Sequence, residues 1–126
     1  MARVVILGED WKSRALLRAQ LLEEGIEVEA YETPENADAT FLLSYPALLV
    51  ADVAASRQPE ADLARLSVWA RRFPVWVIGS RSFPLDLTQS DAGFERRFVR
   101  PVDVGMLVGE IKQRLTRPPT APAPTK

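Results

Sequence analysis

The chain has no cysteine and no histidine in its 126 residues. Without cysteine, disulfides and thiol chemistry are excluded. Without histidine, the commonest general base and the commonest transition-metal ligand are both missing. Ser-His-Asp and Cys-His mechanisms are therefore impossible, and a zinc site loses its usual donors. Any metal would have to be a hard, oxygen-seeking cation such as Mg²⁺. Excess charge is lacking too. Sixteen basic side chains face seventeen acidic ones, a net charge of −1, so there is no bulk pull toward nucleic acid or an anionic membrane. No apolar stretch approaches the roughly 20 residues that span a bilayer. The N-terminus opens straight into a strand pattern instead of a signal peptide. A cytoplasmic protein that by itself binds neither nucleic acid nor membrane is the expectation. The hydrophobic fraction of 47% and the length suit one soluble domain with one core.

Along the chain, apolar runs alternate with helical periodicities. Val4 to Leu7 is strand-like. Trp11 to Glu24 carries an apolar stripe of Leu16, Leu17, Leu21 and Leu22, closed by Gly25 as a C-cap. Ile26 to Tyr31 alternates apolar and polar residues, as an edge strand does. Thr33-Pro34 supplies an N-cap and a first-turn proline, which predicts a helix through about Ser44, broken by Pro46. Ala47 to Ala51 reads as a strand buried on both faces. Pro59 to Phe73 is helical, with Leu63, Leu66, Trp69, Ala70 and Phe73 on one face. Val75 to Ile78 and Arg97 to Val99 read as strands. The segment Gly79 to Gly93 between them is poorly patterned, a short helix or a loop. Asp103 caps a last helix with the stripe Val104, Leu107, Val108, Ile111 and Leu115. The tail from Arg117 holds four of the ten prolines, so residues 117–126 are expected to be disordered or a linker after a domain of residues 1–116.

Five strands alternating with helices imply a parallel sheet covered on both faces, a doubly wound three-layer sandwich. In such a sheet the strand C-termini share one edge, and ligands bind there. Asp52 ends the Ala47–Ala51 run and must face that edge. Glu9, Asp10, Gly79 and Arg100 are expected beside it. Two acidic sites at two strand ends suggest a cation site, a phosphoryl acceptor, or both.

The ordered segments ILGED, RALLRAQLLEEG, PALLVAD, FPVWVIGS and DAGFERRFVRPVD resemble the receiver domain of bacterial response regulators, the CheY-like superfamily, over nearly everything from Val4 to Leu115. The resemblance implies a flavodoxin-like sheet and a signalling domain of a two-component or phosphorelay pathway, not an enzyme. It makes Asp52 the phosphoacceptor. In one register Glu9 is the Mg²⁺-binding acid and Gly8 stands where receivers carry its acidic neighbour. In the other, Glu9 and Asp10 are the acidic pair. Glu9, Asp10 and Asp52 are thus the candidate Mg²⁺ ligands. Arg100 replaces the receiver lysine before proline, Gly79 the switch hydroxyl residue with Ser80 as a displaced substitute, and Arg97 the switch aromatic. The loop VAASRQPEA lacks the family's Met-Pro pair and downstream glycine.

Arginine is a planar fork and lysine a point charge, so the exchange at position 100 is not neutral. Gly79 has no hydroxyl to donate, and Arg97 cannot rotate inward as a buried ring. The resemblance therefore implies a degenerate receiver. Its partners would be a histidine kinase or phosphotransfer protein and a downstream protein. A homodimer through the fourth helix region, fifth strand and fifth helix is a further possibility. The alternatives are a pseudo-receiver that works without phosphate, or a small-ligand binder at the same sheet edge. Trp69 and Trp76 are expected in the core, and Trp11 over the acidic pocket.

Overall fold

The structure, a computed structural model, describes residues 3–81 and 93–116. Five strands form one parallel sheet: β1 (Arg3–Gly8), β2 (Glu27–Tyr31), β3 (Leu48–Asp52), β4 (Val75–Gly79) and β5 (Arg96–Val99). Their order is β2-β1-β3-β4-β5, the doubly wound arrangement expected from the alternation of strands and helices. The edge position of β2 agrees with its alternating sequence. The central strands β1, β3 and β4 are apolar on both faces because both faces are covered.

Alternate residues serve two cores. Val5, Leu7, Leu49, Ala51, Val75 and Val77 pack on one side with Leu63, Leu66 and Trp69 of helix α3 (Pro59–Trp69). Val4, Ile6, Leu48, Val50, Trp76 and Ile78 pack on the other. There they meet Leu17 and Leu21 of α1 (Trp11–Glu23) and Leu107, Val108 and Ile111 of α4 (Val104–Thr116). Trp69 and Trp76 are buried as expected.

Three local expectations are corrected. The apolar stripe of α1 is narrower than the sequence suggested, since Leu17 and Leu21 are buried while Leu16 and Leu22 are exposed. Leu17 and Leu21 are one turn apart and face the sheet, and their neighbours are rotated about 100° away. The helix after Thr33 is also shorter. α2 covers only Pro34–Ala37 and tightens into a 3₁₀ turn over Asp38–Leu42. Phe41 is thereby set against Trp69 and Phe73, with ring centroids 4.7 and 5.1 Å away. Arg3 then holds the Ser44 hydroxyl and carbonyl at 3.1 and 3.0 Å, where helix would have continued. Finally, Trp11 is exposed at the first position of α1 and does not cover the sheet edge. The short helix or loop expected at Gly79–Gly93 falls largely, and the tail wholly, outside the described residues, as does most of the fourth helix region.

α1 ends as its sequence predicted. Gly25 has φ +80°, its N–H bonds the Leu22 carbonyl, and the Ile26 N–H bonds the Leu21 carbonyl. This is a Schellman closure that needs a left-handed residue. A Cβ at Gly25 meets nothing within 4 Å, so the cost of Gly25→Ala is backbone strain alone. Urea unfolding should show a loss of about 1 kcal/mol. An unchanged midpoint would mean that the closure opens without cost.

Candidate functional site

The parallel register brings the candidate residues to one edge. Gly8 pairs with Asp52, Asp52 with Ile78, and Gly79 with Val99, so β1, β3, β4 and β5 end nearly level. The Arg100 N–H bonds the Gly79 carbonyl at 2.8 Å and extends that alignment by one residue. Position 52 continues the alternation Leu48, Val50, Asp52, which points toward α1 and α4. Its side chain leaves the core at the sheet mouth, 15% exposed.

Arg100 occupies the centre of this mouth. Its Nη2 and Nε both donate to Asp52 Oδ2, at 2.5 and 3.1 Å. Nη2 also reaches Asp10 Oδ2 at 3.4 Å and Ser13 Oγ at 3.0 Å. The other Asp52 oxygen, Oδ1, accepts the Ala54 N–H at 2.9 Å. Asp52 is thus held on both oxygens. Burial acts to lower the Arg100 pKa, but the hydrogen bond and charge of Asp52, with those of Asp10, outweigh it and raise it. A guanidinium is always charged in proteins, so this is a fixed cation, not a switch.

Asp10 caps α1, accepting from the Lys12 N–H at 3.2 Å and the Ser13 hydroxyl at 2.8 Å. The Ser13 hydroxyl is the main cause that holds its carboxyl below the usual carboxylate range. The Lys12 and Ser13 N–H groups and Arg100 add to this, against a burial that works the other way.

Glu9 goes elsewhere. In the alternation of β1, Gly8 faces α1 and the next residue faces the opposite side. Glu9 accepts from Nε and the backbone N–H of Arg57 at 3.0 and 3.2 Å, in the loop before α3. The structure therefore places Asp10 beside Asp52 and turns Glu9 away from it.

This donor set does not fit Mg²⁺. Among the described residues no three acidic side chains converge where a metal would be held. Mg²⁺ demands near-octahedral oxygen donors. Here the two carboxylates on the α1 side already share one guanidinium, Glu9 is committed to Arg57, and Gly8 has no side chain.

The remaining candidates are placed as follows. Gly79 is buried at the end of β4, followed by the partly buried Ser80. Arg97 is exposed on β5, its guanidinium 5.9 Å from the Phe94 ring centroid. Two residues of the mouth were missed from sequence, Ser13 and Arg14. Positions 10, 13, 14 and 17 share one helical face, and that spacing was the available signal. Arg14 lines the same cleft and donates from Nη1 to the Gly8 carbonyl.

No family model matches the chain, and no curated protein matches it. Solved structures do match. The receiver domain of the TMAO respiratory system response regulator TorR superposes with a TM-score of 0.77 at 17% identity, over 91% of this chain and 97% of that one. A two-component response regulator from Clostridium difficile gives 0.75 at 19%, over 93% and 98%. The receiver domain of Francisella response regulator 1452 gives 0.74 at 15%, over 93% and 98%. The chain has the flavodoxin-like, CheY-like receiver fold.

Proposed function

We propose that this chain is a receiver-like signalling module that acts through protein–protein contacts without phosphoryl transfer. The carrying observation is the Arg100 guanidinium on Asp52, 2.5 Å from Oδ2. A receiver aspartate attacks a phosphoryl group while a metal offsets the repulsion between two anions. Here a built-in cation neutralises the aspartate and leaves the metal no shared pair of carboxylates. The nucleophile is tied down by three N–H groups, two on Oδ2 and one on Oδ1.

The switch positions support the same reading. Gly79 brings no hydroxyl to the mouth, and an exposed Arg97 stands where a receiver would carry a mobile ring. The output surface would be β5 with α4, which present Arg97, Val99 and Met106 to partners or to a second copy. The module binds rather than catalyses. Its partners would be a downstream protein and a histidine kinase or phosphotransfer protein that docks without transfer. No helix among the described residues is long and apolar enough to cross a membrane.

The second reading, Asp52 as a working phosphoacceptor in a phosphorelay, draws on the place of Asp52 at the end of β3, partly open to solvent. Intact-mass analysis after incubation with Mg²⁺ and acetyl phosphate separates the two. No adduct is expected, with or without Asp52→Asn. An adduct of one phosphoryl group that disappears in Asp52→Asn would establish the phosphoacceptor reading instead.

A further inference from the structure

Helix α1 is apolar on two sides. Leu17 and Leu21 face the sheet and are buried, while Trp11, Leu16 and Leu22 are 62%, 48% and 43% exposed. Single exposed apolar residues are ordinary, but three large ones on one helix face are not. At about 100° per residue, Trp11, Ala15, Ala19 and Leu22 fall within about a quarter of the helix circumference, and Leu16 borders them. Both alanines are exposed as well. This face points away from the sheet. It is also clear of α4, because Glu24, which follows α1, turns to Lys112 of α4 at 2.7 Å. Arg18 lies about 100° from Ala19 and stands beside the face, not in it.

Two charges border the same face. Lys12 opens it and Glu23 closes it, both on the edge that carries Leu16. Neither suits the helix that carries it. A cation in the first turn and an anion in the last both oppose the helix dipole. Neither has an opposite charge one turn away: Ala15 and Leu16 follow Lys12, and Ala19 and Gln20 precede Glu23. Among the described residues, neither side chain enters an ion pair.

The pattern becomes self-complementary when a second α1 is laid antiparallel on the first. A two-fold axis across the helix maps each edge onto the same edge with its ends exchanged. With the axis near position 17, Ala15 lies opposite Ala19 of the second copy, Trp11 opposite its Leu22, and Lys12 against its Glu23. Leu16 meets its own equivalent. A parallel arrangement would instead set Lys12 against Lys12 and Glu23 against Glu23.

We propose that two copies of this chain dimerise through α1, antiparallel, with Trp11, Ala15, Ala19 and Leu22 as the seam and two symmetric Lys12–Glu23 pairs fixing the orientation. The small alanines let the helix axes approach, and Trp11 and Leu22 cover the two ends. The 13 residues of α1 span only about 20 Å. One such face falls short of the roughly 800 Å² per partner of a standard stable complex, so the dimer is weak and reversible, with a Kd on the order of 0.1 mM. Ser13 and Arg14, which serve the sheet mouth, lie off this face. The inference is therefore independent of phosphoryl transfer at Asp52 and of the surface on β5 and α4.

The test is sedimentation equilibrium of the full chain from about 10 μM to about 1 mM, where a monomer–dimer equilibrium should be seen. Lys12→Glu and Glu23→Lys should each weaken dimerisation about tenfold, since each turns two attractions into two repulsions. Each reversal also suits the helix dipole better than the native residue, so unfolding cannot account for the loss. Lys12→Glu/Glu23→Lys should restore the Kd to within about threefold. The chain has no cysteine, which allows a second readout. When Ala15→Cys and Ala19→Cys chains are mixed and oxidised, disulfides should join position 15 to position 19 in preference to 15–15 or 19–19. The proposal is overturned if the chain stays monomeric throughout, or if the double exchange does not recover what the single reversals lose. It is equally overturned if the single reversals change nothing, which would put any dimer on another face. Should a reversal disturb the fold, the cysteine pairing still decides.

Discussion

A chain that carries Gly8→Asp together with Arg100→Lys should bind Mg²⁺ and accept one phosphoryl group on Asp52, where the unaltered chain is expected to accept none. The first exchange restores the acid that the receiver resemblance places beside Asp52. The backbone register pairs these two positions directly, and a Cβ at position 8 finds only ordinary contacts, 3.4 Å to the Asp52 Cβ and 3.8 Å to its carbonyl. The introduced carboxylate therefore needs no backbone shift. The second exchange removes the two-pronged grip on Oδ2 but keeps a positive charge that can meet phosphoryl oxygens. Together they give a divalent cation two neighbouring carboxylates in place of a guanidinium. Mg²⁺ titration followed by calorimetry should saturate on the order of 10 mM or below. Intact mass with acetyl phosphate should then show the adduct in most molecules. Each single exchange alone should give far less, since either the second acid or the freed oxygen is missing. If the double variant binds Mg²⁺ but takes no phosphoryl group, the block lies elsewhere, and the altered loop after Asp52 becomes the next suspect.

Arg100→Ala should lower the unfolding free energy by about 2 kcal/mol. The value lies between two limits. Exposed ion pairs contribute about 0–1 kcal/mol, and breaking a fully buried pair costs about 3–5 kcal/mol. Asp52 is 15% exposed and Arg100 32%, so the pair is partly buried. Without Arg100, Asp52 keeps the single Ala54 N–H and lies near the charge of Asp10. Asp52→Asn removes that stranded charge, so Asp52→Asn/Arg100→Ala should recover part of the loss, a coupling of about 1 kcal/mol in urea unfolding. A cycle with no coupling would mean that Arg100 is not bound to Asp52 in solution, and the phosphorylation-independent reading would lose its foundation. Acidification gives a second check. The folded-state pKa of Asp10 is lowered, so its contribution is present above its unfolded value and is lost as pH falls through the folded one. Stability of the unaltered chain should therefore decline on the acid side, and Asp10→Ser should flatten that part of the decline.

How much was legible in the sequence follows from the range over which each feature is encoded. The strands β1, β3 and β4 were legible because burial on two faces demands an unbroken apolar run, and such a run is visible within five residues. The edge strand β2 was legible from its alternation. The glycine closure of α1 was legible because a left-handed position selects glycine locally. The length of α2 was not, because Phe41 and Ser44 answer to Trp69 and Arg3, far away in the chain. Asp52, Asp10 and Arg100 could be assigned to one sheet edge from strand order alone.

Fold class, the sheet edge where chemistry could occur and the lack of histidine and cysteine chemistry could all be read from the order of residues. That Asp10 and not Glu9 stands with Asp52, and that Arg100 holds both, emerged only from the folded chain. The reason is physical. Periodicity and backbone propensity act between near neighbours, whereas Arg100 meets Asp52 and Asp10 across 48 and 90 residues of chain. Which of several nearby charges it meets depends on a half-turn of one strand and the first turn of one helix.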